Sequence, residues 1–201
     1  MRDLGRVILA AGLILFATPL MAQVGSPPAG QLAAAAAAQP DLPPATKLEG
    51  FKPAAGSVVI FAYDELGRIG PGFSTPGVVS VDVRQLSDAR GNGARGLFVE
   101  VIESQYRKAG SFVDADEIPE LLKGLDALVE VKANPSSFKN FEVRYTTLGS
   151  LQLTAYNGAK EIQFAVRAGR TLTAARLGLS SADMLKLREM FAAASQKLSA
   201  K

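Results

Sequence analysis

The chain has 201 residues, 48% of them hydrophobic and 20% charged, and a formal net charge of +3. It contains no cysteine, no histidine and no tryptophan. The size suits one domain with extensions. The missing residue types exclude a disulfide framework, thiolate and imidazole catalysis, Cys- or His-ligated metals and a lipid-modified N-terminal cysteine.

Residues 1–22 read as a bacterial Sec-type signal peptide. Arg2 and Arg6 supply the positive start, residues 7–20 the apolar run, and Leu20, Met21 and Ala22 the processing site, with cleavage after Ala22. The run falls short of the roughly 20 residues a spanning helix requires. A periplasmic or secreted location is therefore expected, with no stable membrane span after cleavage. Without Arg2, Asp3 and Arg6, the 22 basic and 19 acidic side chains of the whole chain become 20 and 18. That balance argues against a general polyanion binder. Residues 23–55 read as a disordered tether. They hold six of the eleven prolines, the run Ala33 to Ala38, and only Asp41, Lys47, Glu49 and Lys52 as charges. Too little apolar surface is present to offset the entropy of ordering.

From residue 56 to 201 the pattern becomes that of a globular domain. Residues 58–63 form a continuous apolar run, the signature of a well-covered strand. In residues 78–86, Val79, Val81 and Val83 alternate with Ser80, Asp82 and Arg84, which predicts a strand with one buried face. Gly91, Asn92 and Gly93 mark a turn, and residues 97–103 a third strand. The stretch VDADEIPELLKGLDALVEV follows, with Ile118, Leu121, Leu122, Leu125, Leu128 and Val129 on one helical stripe. Asp116 is its expected N-cap, because that choice leaves Pro119 within the first turn, where its missing N–H has no partner to lose. Four strands come next, over residues 141–147, 151–156, 161–167 and 171–177, with Asn157-Gly158 predicting a tight hairpin. The chain closes on a helix with Ser180 and Asp183 at capping-box spacing and Met184, Leu187, Phe191, Ala194 and Leu198 on one face.

The expected fold is α+β: an antiparallel meander of about seven strands covered by two amphipathic helices. A shift of 66 residues lays Ile118 on Met184, Leu121 on Leu187 and Leu125 on Phe191, and brings Asn92-Gly93 to within one residue of Asn157-Gly158. This suggests a duplication with halves at 56–133 and 138–201. Three or four strands followed by a covering helix, twice over, resembles the topology of Whirly-like single-strand nucleic-acid-binding folds. The resemblance implies such a module as an alternative function.

Several groups invite a chemical role and have plainer explanations. Asp114, Asp116, Glu117 and Glu120 lack the ligand spacing and glycine of a calcium loop and suit a helix start. Gly67, Gly70 and Gly72 in LGRIGPGF lack the Gly-Lys-Ser/Thr ending and following helix of a phosphate loop. Asp64, Glu65, Glu100 and Glu103 would serve a carboxylate-only hydrolase if they met across a cleft. The polar face of the later strands is the candidate ligand surface: Arg144, Gln152, Thr154, Tyr156, Gln163 and Arg167 offer planar hydrogen-bonding groups and one aromatic ring. The expected function is a non-enzymatic exported binding or scaffolding protein of the cell envelope. It would use no metal or cofactor and bind a protein or glycan partner, with nucleic acid not expected.

Overall fold

The computed structural model describes residues 42–70, 77–132, 135–158, 161–170 and 172–199. The signal segment, the alanine run, Gly72 and Thr171 lie outside the described residues. No described helix is long and apolar enough to cross a membrane. Among the described residues eight strands and three α-helices follow in order: α1 (Lys47–Gly50), β1 (Val59–Ile69), β2 (Val78–Asp88), β3 (Gly93–Ser104), β4 (Arg107–Asp114), α2 (Ile118–Val129), β5 (Glu142–Thr146), β6 (Gln152–Asn157), β7 (Ile162–Ala168), β8 (Ala175–Leu179) and α3 (Ser181–Ser199). The fold is α+β. Its strands form two antiparallel sheets of four, β1-β2-β3-β4 and β5-β6-β7-β8, rather than one meander of about seven.

The strand absent from the sequence reading is β4. Its dry face holds Ser111, fully buried, whose Oγ accepts from Gly169 N at 2.9 Å. Gly110 lies beneath the ring of Phe98. Two such residues dilute the apolar alternation that marks a strand. The run at residues 58–63 is also corrected. All of it but Val58 lies in β1, an edge strand among the described residues, with Ile60 62% and Tyr63 68% exposed, because the strand outruns its cover.

Both sheets and both long helices share one core. Val79, Val81, Leu97, Val99 and Val101 of the first sheet join Leu153, Ala155, Phe164 and Val166 of the second. Ile118, Leu121, Leu125 and Leu128 of α2 and Met184, Leu187, Phe191, Ala194 and Leu198 of α3 complete it. Every residue expected on the buried stripe of α3 is there, whereas Leu122 and Val129 of α2 are only partly buried. Tyr145 lies across α2 at Gly124, where a Cβ would stand 2.2 Å from Tyr145 Cδ2. Asp126 of α2 and Arg188 of α3 form a two-point ion pair, one contact at 3.0 Å. The Arg188 hydrogen bond holds the Asp126 carboxyl below its ordinary pKa.

Local signals resolve as follows. The capping box of α3 forms, with Asp183 N donating to Ser180 Oγ (3.1 Å) and Ser180 N donating to Asp183 Oδ2 (3.0 Å). In α2 a 3-10 turn over Ala115–Glu117 precedes the helix, so Glu117, not Asp116, is the N-cap residue, and its side chain makes no cap hydrogen bond. Asn157-Gly158 does not form a two-residue hairpin: Asn157 pairs with Ile162, and Gly158 N donates to Glu161 O at 2.9 Å. Asn157 instead serves β5, accepting from Phe141 N through Oδ1 and donating to Lys139 O through Nδ2, both at 3.0 Å. The turn after β2 is held by Asp88, which accepts from Arg90 N, Asn92 N and Asn92 Nδ2. The Asn92 side-chain bond leads in pulling the Asp88 carboxyl down.

The compact unit runs Pro43–Lys201, starting earlier than residue 56. Within it Thr46 caps α1 by accepting from Glu49 N at 3.1 Å, and Leu48 is buried.

Candidate functional surfaces

The six residues expected as a ligand surface do share one face of the second sheet. Register places Thr146, Gln152, Arg167 and Arg176 in one cross-strand row, Arg144, Thr154, Ala165 and Gly178 in the next, and Glu142, Tyr156 and Gln163 in a third. Residues in such rows project from the same side of the sheet. Their availability differs. Thr154 is buried, while Arg144 and Gln163 are exposed. Arg144 is engaged in a two-point pair with Glu142, at 2.8 and 2.6 Å. Arg144 first, and then the charge of Arg176, hold the Glu142 carboxyl below its ordinary range. The Arg176 guanidinium stands 5.6 Å from the Tyr156 ring. This face is a mixed-charge polar surface, already partly paired with itself.

The outward face of the first sheet presents a different chemistry, which the sequence reading missed. Register sets Tyr63 beside Arg84, Asp82 beside Phe98, and Phe98 beside Phe112. The Arg84 guanidinium lies 3.6 Å from the Phe98 centroid and under 6 Å from those of Phe61 (5.7 Å) and Phe112 (5.8 Å). Phe98 and Phe112 are 4.9 Å apart, tilted by 46°, and Phe61 and Tyr63 are 5.8 Å apart. One carboxylate, Asp82, pairs with Arg84 at 3.2 Å, and Arg84 Nε is buried without a hydrogen-bond partner among the described residues. The cation is thus held largely by ring faces. Phe61 and Tyr63 remain 52% and 68% exposed above it. A cleft of about 170 Å³ adjoins, lined by Tyr63, Glu65, Arg68, Ser80, Asp82 and Glu100 among others.

Gly110 makes this platform possible. A Cβ there would lie 2.2 Å from Phe98 Cζ, so the ring rests on bare backbone. Gly110→Ala is expected to lift Phe98 off Arg84 and destabilise the domain by about 1–3 kcal/mol, as over-packing does. Urea unfolding reads the loss, and near-ultraviolet circular dichroism reads the displaced ring.

The other candidate groups do not converge. Asp64 and Glu65 face opposite sides of β1: Asp64 pairs with Lys197 of α3, while Glu65 pairs with Arg68 on the outward face. Glu100 shares that face, and Glu103 accepts from Arg176 N at 2.9 Å. The acidic group before α2 is divided among backbone and lysine partners. Asp114 accepts from Lys47 N and Leu48 N, Asp116 pairs with Lys47, Glu117 accepts from Leu148 N at 2.8 Å, and Glu120 pairs with Lys123. Among the described residues no group of three or more acidic side chains is placed to hold a metal ion.

Glu117 carries a pH signature. Burial, followed by the charges of Asp114 and Asp116, pushes its carboxyl up, outweighing the hydrogen bond from Leu148 N. A folded pKa above the unfolded one means that ionisation costs stability. Its penalty is absent below the unfolded value, near 4.3, and grows as pH rises through the folded value. Glu117→Gln keeps the acceptor and removes the charge. The substitution should raise Tm at pH 7 by about 1–2 °C, the small size reflecting partial solvent exposure. The gap from wild type should close below about pH 4; an equal gap at both pH values would refute the assignment.

Comparison with family models, with curated proteins and with solved structures finds no match to this chain. The class defined here is therefore structural: an α+β domain of two four-stranded antiparallel sheets and two long helices around one core, with an aromatic–arginine platform on the outward face of one sheet.

Proposed function

We propose that the protein is an exported, non-enzymatic binding or scaffolding protein of the bacterial cell envelope, and that it holds a protein or glycan partner on the outward face of its first sheet. The observation that carries this reading is the platform of Phe61, Tyr63, Phe98 and Phe112 around Arg84, with Phe61 and Tyr63 largely in solvent. Exposed aromatics beside a fixed cation suit a partner with flat apolar surface and polar edges, such as a sugar ring or a peptide. The N-terminal pattern at Arg2, Arg6 and residues 7–22 supports export. The polar face carrying Arg144, Gln152, Thr154, Tyr156, Gln163 and Arg167 serves as a secondary contact.

The test is photo-crosslinking in cells from a probe at position 63, with a probe at exposed Leu185 of α3 as control. Adducts should form at 63 in the envelope fraction, disappear with Phe61→Ala, and weaken with Arg144→Glu or Tyr156→Ala. Adducts unaffected by Phe61→Ala, or a chain retained in the cytoplasm, would sink the proposal. So would turnover of an envelope substrate that depends on Glu65 or Glu100.

A second reading draws on element order. Four strands and then a helix occur twice, at β1–β4 with α2 and at β5–β8 with α3. That order supports a duplication of Whirly-like topology, and an aromatic platform suits stacked bases. Under this reading a labelled oligothymidylate binds with an affinity that falls steeply with salt. No binding at low salt removes it.

A further inference from the structure

We propose that the outer edge of β1 is a self-association site, where a second copy of this chain adds β1 to β1 in antiparallel register about a two-fold axis centred on Phe61. The strand that carries this edge also carries Phe61 and Tyr63 of the platform, but the self-association does not depend on the function proposed above.

Position in the sheet is the first argument. β1 pairs only with β2, so among the described residues its other side faces no strand. The Val58 carbonyl accepts from Ala89 N on the β2 side at 3.3 Å. Hydrogen-bonding direction alternates along a strand, so Val59, Phe61 and Tyr63 direct their N–H and C=O groups outward. Edge strands are ordinarily blunted by charge, proline or brevity. This one runs for 11 residues, and residues 58–63 carry neither a charge nor a proline.

The distribution of apolar exposure is the second argument. Val59, Phe61 and Tyr63 project to the outward face, while Ile60, 62% exposed, projects to the helix side beyond the cover of α3. A ligand lying on one face would cover only one of these sets. An added strand flanks both.

Charge favours a second copy as the occupant, because the uncharged run 58–63 lies against itself without opposing carboxylates. With the axis at Phe61, Val59 meets Tyr63 of the second copy and Ile60 meets its Ala62. Asp64 and Glu65 then face Val58 and Ser57, so no carboxylate opposes another. The two Phe61 residues form a hydrogen-bonded pair on the axis. Such an interface uses the same patch twice, as closed two-fold dimers do.

Area sets the strength. Aromatic side chains bury roughly 150–250 Å² each, and the exposed parts of Phe61 and Tyr63, with Val58, Val59 and Ile60, form a strip of roughly 500 Å². That is below the roughly 800 Å² per partner of a stable complex. The dimer is therefore weak and concentration-dependent, to be sought from micromolar to several hundred micromolar chain.

Sedimentation equilibrium of the full chain across this range should show monomer and dimer. Ile60→Lys places a charge in the strip at an exposed position and should weaken the dimer at least about tenfold while leaving the thermal transition in place. Because Ile60 lies on the face away from Arg84, the variant should lose adducts of dimer mass from position 63 and keep those to the partner, which separates failure of the dimer from failure of the ligand reading. A nitroxide on Val58→Cys is the only thiol label in this cysteine-free chain. The register puts the two labels six residues apart along paired strands, about 20 Å at 3.4 Å per residue. A chain that stays monomeric at several hundred micromolar overturns the proposal. So does a dimer indifferent to Ile60→Lys, or one without the 20 Å separation.

Discussion

Phe191→Ala should destabilise the domain by about 3–5 kcal/mol, the range expected when a fully buried aromatic side chain is truncated. Phe191 is fully buried and is the largest fully buried side chain among the described residues. It belongs to α3, which packs on α2, on β1 to β3 of the first sheet, and on β7 and β8 of the second. A cavity at this position opens where both sheets and both helices meet, so no single element can move in to fill it without leaving another. Domains of this size have total stabilities of about 5–15 kcal/mol, so the variant forfeits roughly a fifth of the whole or more. The urea midpoint should fall in proportion at an unchanged slope, and Tm should drop by about 10 °C. Leu185→Ala on the same helix, with Leu185 47% exposed, should change stability by less than about 0.5 kcal/mol. Comparable losses at both positions would mean that α3 contributes through helix propensity alone and that the shared core is wrong.

That core was legible in the sequence only in its parts. The stripe Met184, Leu187, Phe191, Ala194 and Leu198 could be read because a period of 3.6 leaves one interpretation of which face is dry. The alternation at Val79, Val81 and Val83 was equally plain. What the pattern does not contain is the division of strands into sheets. That depends on which elements come together after residue 129, a tertiary matter with no local signal. β4 escaped because a buried serine and a glycine under an aromatic ring look polar and flexible one residue at a time. The run at residues 58–63 misled in the opposite sense. An apolar run has the same appearance on a covered strand and on an edge strand left open.

The candidate surfaces divide along the same line. The polar face of the second sheet could be listed because alternation assigns Arg144, Gln152, Thr154, Tyr156, Gln163 and Arg167 to one side of their strands. Pairing within the face was hidden, since Arg144 spends its two-point geometry on Glu142 two residues before it. The platform on the first sheet was beyond reach, because Phe61, Arg84, Phe98 and Phe112 come from four strands. The sole signal was compositional: Arg84 and Phe98 fall on the polar side of strands whose other side is valine and leucine. A large aromatic residue at a position that alternation assigns to solvent is the mark to look for.

Asp114→Ala should cost about 2–3 kcal/mol and release α1 from the domain. Asp114 is 4% exposed and accepts from Lys47 N at 2.8 Å and Leu48 N at 3.2 Å. These two N–H groups are among the unpaired donors at the start of a helix, and α1 has only four residues with which to hold itself together. The same carboxylate brings Leu48 against β3, where Leu48 Cδ1 lies 3.0 Å from the position a Cβ would take at Gly96. Alanine removes both acceptors and leaves buried donors without partners, an arrangement costlier than deleting the whole interaction. Asn retains one acceptor but turns two donors toward each other, so Asp114→Asn should fall between wild type and alanine. Hydrogen exchange distinguishes local from global loss: amides of residues 46–50 should lose their protection in Asp114→Ala, while those of β2 and β3 stay protected and speed up only in proportion to the global stability lost. Residues 43–50 would then behave as the open tether that their prolines suggest, with one buried carboxylate on β4 separating the two conditions. If these amides kept their protection in Asp114→Ala, the attachment of α1 would rest on Leu48 packing, and Leu48→Ala would become the substitution that frees it.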